Sequence, residues 1–225
     1  MSKSNPSIIH LGIFLAVLGI ISASLLTMVY EKTKAPIKAA QLEKTSKTLK
    51  DILPPFDNQP ADDTITIDAG NGTKVKYYRA KKDGKIVGIA GEGHSLKGFS
   101  GNITVMLGMN PDGKISLVIV TNQNETPGLG TVVTNRVRQK KITDLFGGKK
   151  EETGLPANKI LDGFTGHIAK SEVPWRVKKD GGKFDFVTGA TITSRAVTDA
   201  VYTIAHTFIK HKSEIMTEDK SSNKK

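Results

Sequence analysis

The sequence predicts an α+β protein: a single N-terminal transmembrane helix, then one domain of antiparallel sheet with packed helices. Three observations predict it. Between Lys3 and Glu31 lie 27 residues without a formal charge. Asn-Gly and Asp-Gly pairs at 71–72, 83–84 and 112–113 sit between β-rich runs. Near the end, Val197, Val201, Ile204 and Phe208 recur at helical spacing, with Ala200 and Ala205 beside them. That spacing gives a helix one apolar face to lay on a sheet.

Residues 8–30, the apolar part of the first stretch, span about 34 Å as a helix at ~1.5 Å per residue, enough to cross a bilayer. The run exceeds the ~7 to 15 apolar residues of a cleavable signal, and no convincing small-x-small site followed by a break appears before Glu31. An uncleaved anchor over 1–30 is therefore expected, in preference to a signal peptide or a buried core helix. Lys3 precedes the apolar segment, whereas Lys32, Lys34, Lys38 and Lys44 follow it. A positive-inside count would keep the following domain in the cytoplasm, yet a long folded domain can cross despite its flanking charge, so charge alone leaves sidedness open. A lysine-rich juxtamembrane helix or stalk is expected over 31–60, running to about Lys50 and stopped by Pro54-Pro55.

The sheet domain is placed at 61–210. The Asn-Gly and Asp-Gly pairs tolerate the positive φ of tight hairpins, and strands are expected at 74–80, 85–90, 103–109 and 115–121. The glycine-rich run 91–98 lacks the Lys-Ser/Thr ending of a P-loop, and Leu96 stands where a dinucleotide fingerprint needs glycine, so a flexible connection between strands is expected. Asn124-Glu-Thr-Pro-Gly-Leu-Gly130 reads as a β-to-α connection shaped by Pro127 and Gly128 and presenting one carboxylate. A helix is expected over 134–146, with short strand or loop segments at 161–169 and 175–177. A strand-like run at 183–187 precedes a final helix over 195–210, and 211–225 is expected as a polar, disordered tail.

Anchor and tail removed, roughly 150 residues remain, enough for one domain and one site. The chain has no cysteine, which excludes thiolate-held iron-sulfur clusters, disulfides and a cysteine nucleophile. Redox chemistry would have to come from a bound organic cofactor. The net charge of +11 is spread over scattered lysines, with four Tyr and one Trp for stacking, a pattern that argues against nucleic acid and for anionic lipid or acidic partners. His10, His94, His167, His206 and His211 are too widely spaced to suggest a metal site, and no serine sits in a Gly-x-Ser-x-Gly elbow.

One joint concentrates hydroxyls and small residues: Asp185-Phe-Val-Thr-Gly-Ala-Thr-Ile-Thr-Ser194. Gly189 and Ala190 leave the backbone uncluttered where a helix N-terminus would present free N–H groups, a natural seat for phosphate. The plain alternative is an N-cap, with Thr193 or Ser194 accepting from the backbone and Gly189 making the bend. The spacing of Asp185, Thr188, Gly189, Ala190 and Thr191 resembles the flavinylation signature Asp-x-x-(Ser/Thr)-Gly-Ala-Thr of FMN-binding domains. The segment 125–130, Glu-Thr-Pro-Gly-Leu-Gly, resembles one typical of the G subunit of Rnf electron transport complexes. The C subunit of the sodium-translocating NADH:quinone reductase is similar in architecture and is the alternative family.

The resemblance implies FMN joined through its phosphate to Thr191 by a flavin transferase that cleaves FAD. It implies that Asp185 serves recognition or metal-assisted transfer, and that Thr188, Gly189 and Ala190 shape the turn and donate to the phosphate. Glu125, Thr126 and Leu129 become candidates for lining the flavin. It further implies an electron carrier on the periplasmic side of a bacterial inner membrane. Its partners would be the other membrane subunits of a complex coupling ferredoxin:NAD electron transfer to sodium or proton translocation. Two other readings are a tethered scaffold that never receives flavin and a stand-alone extracytoplasmic flavin carrier.

Overall fold

The computed structural model describes residues 8–70, 72–136 and 155–217. The chain divides into two compact units, 1–45 and 46–225. Helix α1 (Ile8–Ile52) begins in the first and ends in the second. Its N-terminal part is long and apolar enough to cross a membrane. The helix runs through Pro36 and stops just before Pro54-Pro55, where two successive missing N–H groups and the extended bias of the residue before each proline disfavour continuation.

The second unit is built on a five-stranded meander in chain order: β1 (Thr64–Asp68), β2 (Lys74–Lys82), β3 (Lys85–Gly98), β4 (Gly101–Met109) and β5 (Ile115–Asn122), every neighbouring pair antiparallel. The β2–β3 hairpin closes on Asp83-Gly84, both at positive φ (52° and 73°), as a two-residue turn requires. Side chains alternate between two covered faces. Val75, Tyr77, Ile89, Ile103, Val105 and Leu107 face one core; Tyr78, Ala80, Ala90 and Met106 face another. The 20-residue helix α4 (Thr191–Lys210) covers the first face through Val197, Val201, Ile204 and Phe208. Leu49, Ile52 and Leu53 cover the second. Between β5 and α4 lie two short helices, α2 (Gly130–Thr134) and α3 (Lys159–Asp162), and a 3₁₀ turn (Lys178–Asp180).

The structure corrects several expectations. Residues 91–98 are not a flexible connection but the second half of β3. A Cβ at Gly91 would lie 2.4 Å from Ile204 Cγ2, and one at Gly93 would lie 2.7 Å from Ile204 Cγ1. These glycines let α4 approach the sheet, where the Tyr77 hydroxyl donates to the Ile204 carbonyl at 2.7 Å. Residues 183–187 form no strand: a single bridge joins Val177 to Phe184. The segment is held by ring packing instead, with Phe164, Trp175 and Phe184 within 4.6–6.3 Å of one another by centroid. Of residues 161–169, expected as strand or loop, the first two close a short helix over Lys159–Asp162, whose start is capped by the Asn158 side chain accepting from the N–H groups of Ile160 and Leu161.

Strand β1 has no counterpart among the expected strands, and α4 starts at Thr191 rather than Arg195. The expected tail begins with a further helix, α5 (Lys212–Met216), tied in by the buried Ile215 and by the Arg79 guanidinium, which donates to the Thr217 carbonyl at 2.8 Å. The expected stalk over 31–60 is likewise no separate element at its end, since Leu49, Ile52 and Leu53 belong to a core of the second unit. The helix expected over 134–146 lies outside the described residues from 137 onward.

Candidate functional site

The turn ahead of α4 is made by its own backbone: the Ala190 N–H donates to the Val187 carbonyl at 3.0 Å, and Gly189 sits at φ 88°. A side chain would be strained there, so glycine is the fitting residue. The N-cap position falls on Ala190, which has no side chain to cap with. Neither Thr193 nor Ser194 is the N-cap that the plain alternative expects. The Ser194 hydroxyl points back, donating to the Ala190 carbonyl at 2.9 Å and accepting from the Val187 N–H at 3.2 Å. The Thr193 hydroxyl donates to Glu125 Oε2 at 2.6 Å, and that of Thr198 donates to the Ser194 carbonyl at 2.8 Å. With those three hydroxyls committed inside the fold, the half-buried Thr191 is left with a hydroxyl that has no hydrogen-bond partner among the described residues.

Thr191 lines a cavity of about 300 Å³ together with Glu125, Thr126, Leu129, Gly130, Gly189, Ala190, Ile192 and Thr193. The two sequence segments singled out separately thus line one site. The loop before α2 is fixed locally: the Glu125 N–H donates to the Gln123 side-chain oxygen at 2.5 Å, and the Gly128 N–H donates to Thr131 Oγ1 at 2.9 Å. Glu125 is 4% exposed. Its second oxygen accepts from the Ser100 N–H at 3.1 Å, so the carboxylate pins the β3–β4 turn, the loop and the first turn of α4 at once.

Three cavity residues escape a reading of the sequence: Phe99, Ile192 and Lys179. Phe99 and Ile192 are 67% and 46% exposed. The nearest sequence signal for Ile192 is its place beside Thr191. Nothing local marks Phe99, which the β3–β4 register delivers, or Lys179, which the 3₁₀ turn delivers. That turn is anchored to α4 by a two-pronged ion pair, Arg195 with Asp180 at 2.6 and 2.7 Å, which holds the Asp180 carboxyl below the usual carboxylate range.

Two predicted residues lie apart from this cavity. Thr188 is exposed at the tip of the turn and is not among the cavity's lining residues. Asp185 belongs to a neighbouring hollow of about 680 Å³, where it pairs with Lys178 and, at 3.9 Å, with Lys159. The hydrogen bond from Lys178, with the charges of both lysines, depresses the Asp185 pKa. Among the described residues no cluster of His, Asp or Glu could hold a metal ion.

A cavity with free helix N–H groups, a hydroxyl, a cation and apolar walls suits a ligand with a phosphate and a flat ring. The FMN-binding domain family matches residues 98–206, so the class of protein is an FMN-binding domain behind a helical membrane anchor. The chain is 33% identical over 212 residues to the G subunit of the ion-translocating oxidoreductase complex of Aliivibrio fischeri (strain MJ11), covering 92% of each chain. It is 30% identical to the protein of that name from Cereibacter sphaeroides (95% of this chain, 89% of the relative) and 28% identical to the one from Pseudomonas aeruginosa (98% of both). The chain belongs to the G-subunit family of Rnf-type ion-translocating oxidoreductase complexes.

Proposed function

We propose that this protein is a membrane-anchored electron carrier whose FMN is joined through its phosphate to the hydroxyl of Thr191. The observation that carries the reading is the division of hydroxyls at the head of α4: Thr193, Ser194 and Thr198 are engaged within the fold, and Thr191 faces the cavity. The residues fit the group. Uncapped N–H groups at the first turn of α4 would receive the phosphate oxygens, with Lys179 as counter-charge. Phe99, Leu129 and Ile192 would pack on the isoalloxazine. Glu125 and Thr126 complete the wall, and Gly189 and Ala190 keep the approach to Thr191 clear.

Bound there, FMN supplies the electron-accepting and electron-passing chemistry. The protein's part is to hold it by an ester bond, to exclude water from one side through the apolar wall, and to set the local charge. Thr188 and Asp185 stand outside the cavity, which suits contact with the flavin transferase during attachment better than contact with the flavin afterwards.

The names of the relatives support placement in a multi-subunit, ion-translocating oxidoreductase complex. In this reading the anchor lies in a bacterial inner membrane with the domain on its outer side, where an ester tether prevents loss of the cofactor. The complex would couple electron transfer between ferredoxin and NAD to sodium or proton movement. Replacing Thr191→Ala should leave a folded, membrane-bound protein with no flavin fluorescence on a denaturing gel, whereas retained fluorescence would rule out the attachment site.

A further inference from the structure

Glu125 is a buried carboxylate in the wall of the cavity, and no cationic side chain lies within ion-pair distance of it among the described residues. Its two oxygens each receive a donor, the Thr193 hydroxyl at 2.6 Å and the Ser100 N–H at 3.1 Å, which is the solvation a charged carboxylate needs when water is absent. The fold makes room for it: a Cβ at Gly130 would meet Glu125 Oε2 at 2.7 Å, and one at Gly98 would meet Glu125 Oε1 at 2.8 Å. Neutral donors leave the net charge in place. For packing alone, an apolar residue would serve at lower desolvation cost.

We propose that Glu125 is a potential-setting residue, whose buried negative charge opposes arrival of electrons on the flavin in this cavity. The inference rests on the proposed FMN site. Each electron delivered by a low-potential one-electron donor adds one negative charge to the flavin, and a fixed negative charge in the same low-dielectric wall disfavours that added charge wherever no proton follows. Lys179 lies in the same lining with the opposite sign, but its side chain is exposed. The buried carboxylate works against it, and the flavin is held at a lower potential than the lysine alone would give.

The test is a spectroelectrochemical titration with dithionite as donor, on full-length, detergent-extracted protein loaded by a co-expressed flavin transferase. Covalent flavin is first verified by mass. Glu125→Gln keeps the shape and an acceptor oxygen but removes the charge, and should raise the midpoint at least tenfold in the reduction equilibrium, about 59 mV for one electron. Glu125→Asp keeps the charge and should stay within that margin of wild type. No rise in the Gln variant, or an equal rise in both, would overturn the proposal in favour of a packing role.

Should Glu125→Gln fail to fold, Thr193→Val leaves the charge with one donor fewer, and its midpoint should equal or fall below that of wild type; a rise would overturn the proposal. Wild-type protein that carries no flavin would instead defeat the FMN reading itself, so the two failures are distinguishable.

Discussion

The imidazole of His167 sits edge-on to Trp175 and Phe184, at 5.9 and 5.2 Å by centroid, and its Nδ1 accepts from the Lys183 ammonium at 3.3 Å. Burial first, and the Lys183 charge second, hold its pKa below the ordinary value of 6.5. The folded ring stays neutral where the unfolded one takes a proton, so its contribution to stability is complete above about pH 6.5 and is lost as the pH falls through the depressed folded value. Thermal midpoints taken from pH 7.5 to 5.5 should therefore fall more steeply in wild type than in His167→Gln; parallel curves would remove His167 from the account. Among single residues, a cluster of hydroxyls and glycine is visible in the sequence but its long-range partners are not. Asp185 to Thr191 can be read as a phosphate seat because hydroxyls and glycine cluster within a few residues. The bond between Glu125 and Thr193 spans 68 positions, and no local pattern announces it.

Among the elements, hairpins are legible because their turns carry their own chemistry, as Asp83-Gly84 does. Errors fall where tertiary packing overrides local preference. Gly91 and Gly93 look like loop residues until Ile204 of α4 is laid across them. Residues 183–187 alternate like a strand, yet Phe184 stacks on Phe164 at 4.6 Å and only one bridge forms. Strand β1 is short and polar at Thr64, Thr66 and Asp68, and its pairing with β2 comes from the sheet rather than from its own hydrophobicity. Asn158 shows the same principle at a joint: its side chain caps α3 while donating to the carbonyls of Val132, Val133 and Asn135 at the end of α2.

For the whole molecule, the α+β class and the anchor are legible because charge-free length and turn spacing are global signals. The boundary between stalk and domain is not, because Leu49, Ile52 and Leu53 look like sparse apolar residues of a polar helix until the sheet's second face needs cover. A chain beginning at Ser46 should fold and take up flavin without detergent, since the second compact unit begins there. One beginning at residue 61 loses those three side chains and should be destabilised by at least the ~2–5 kcal/mol of one buried Leu→Ala change, read as a lower urea midpoint. Equal midpoints would place the domain boundary at 61 after all.

Whether the chain carries flavin on one hydroxyl is decided by intact mass followed by peptide mapping, on full-length protein co-expressed with a flavin transferase. The expected result is the added mass of an FMN phosphoester, confined to the peptide containing Thr191. An unmodified chain under those conditions, or flavin on Thr188 or Thr193 instead, would contradict attachment at Thr191.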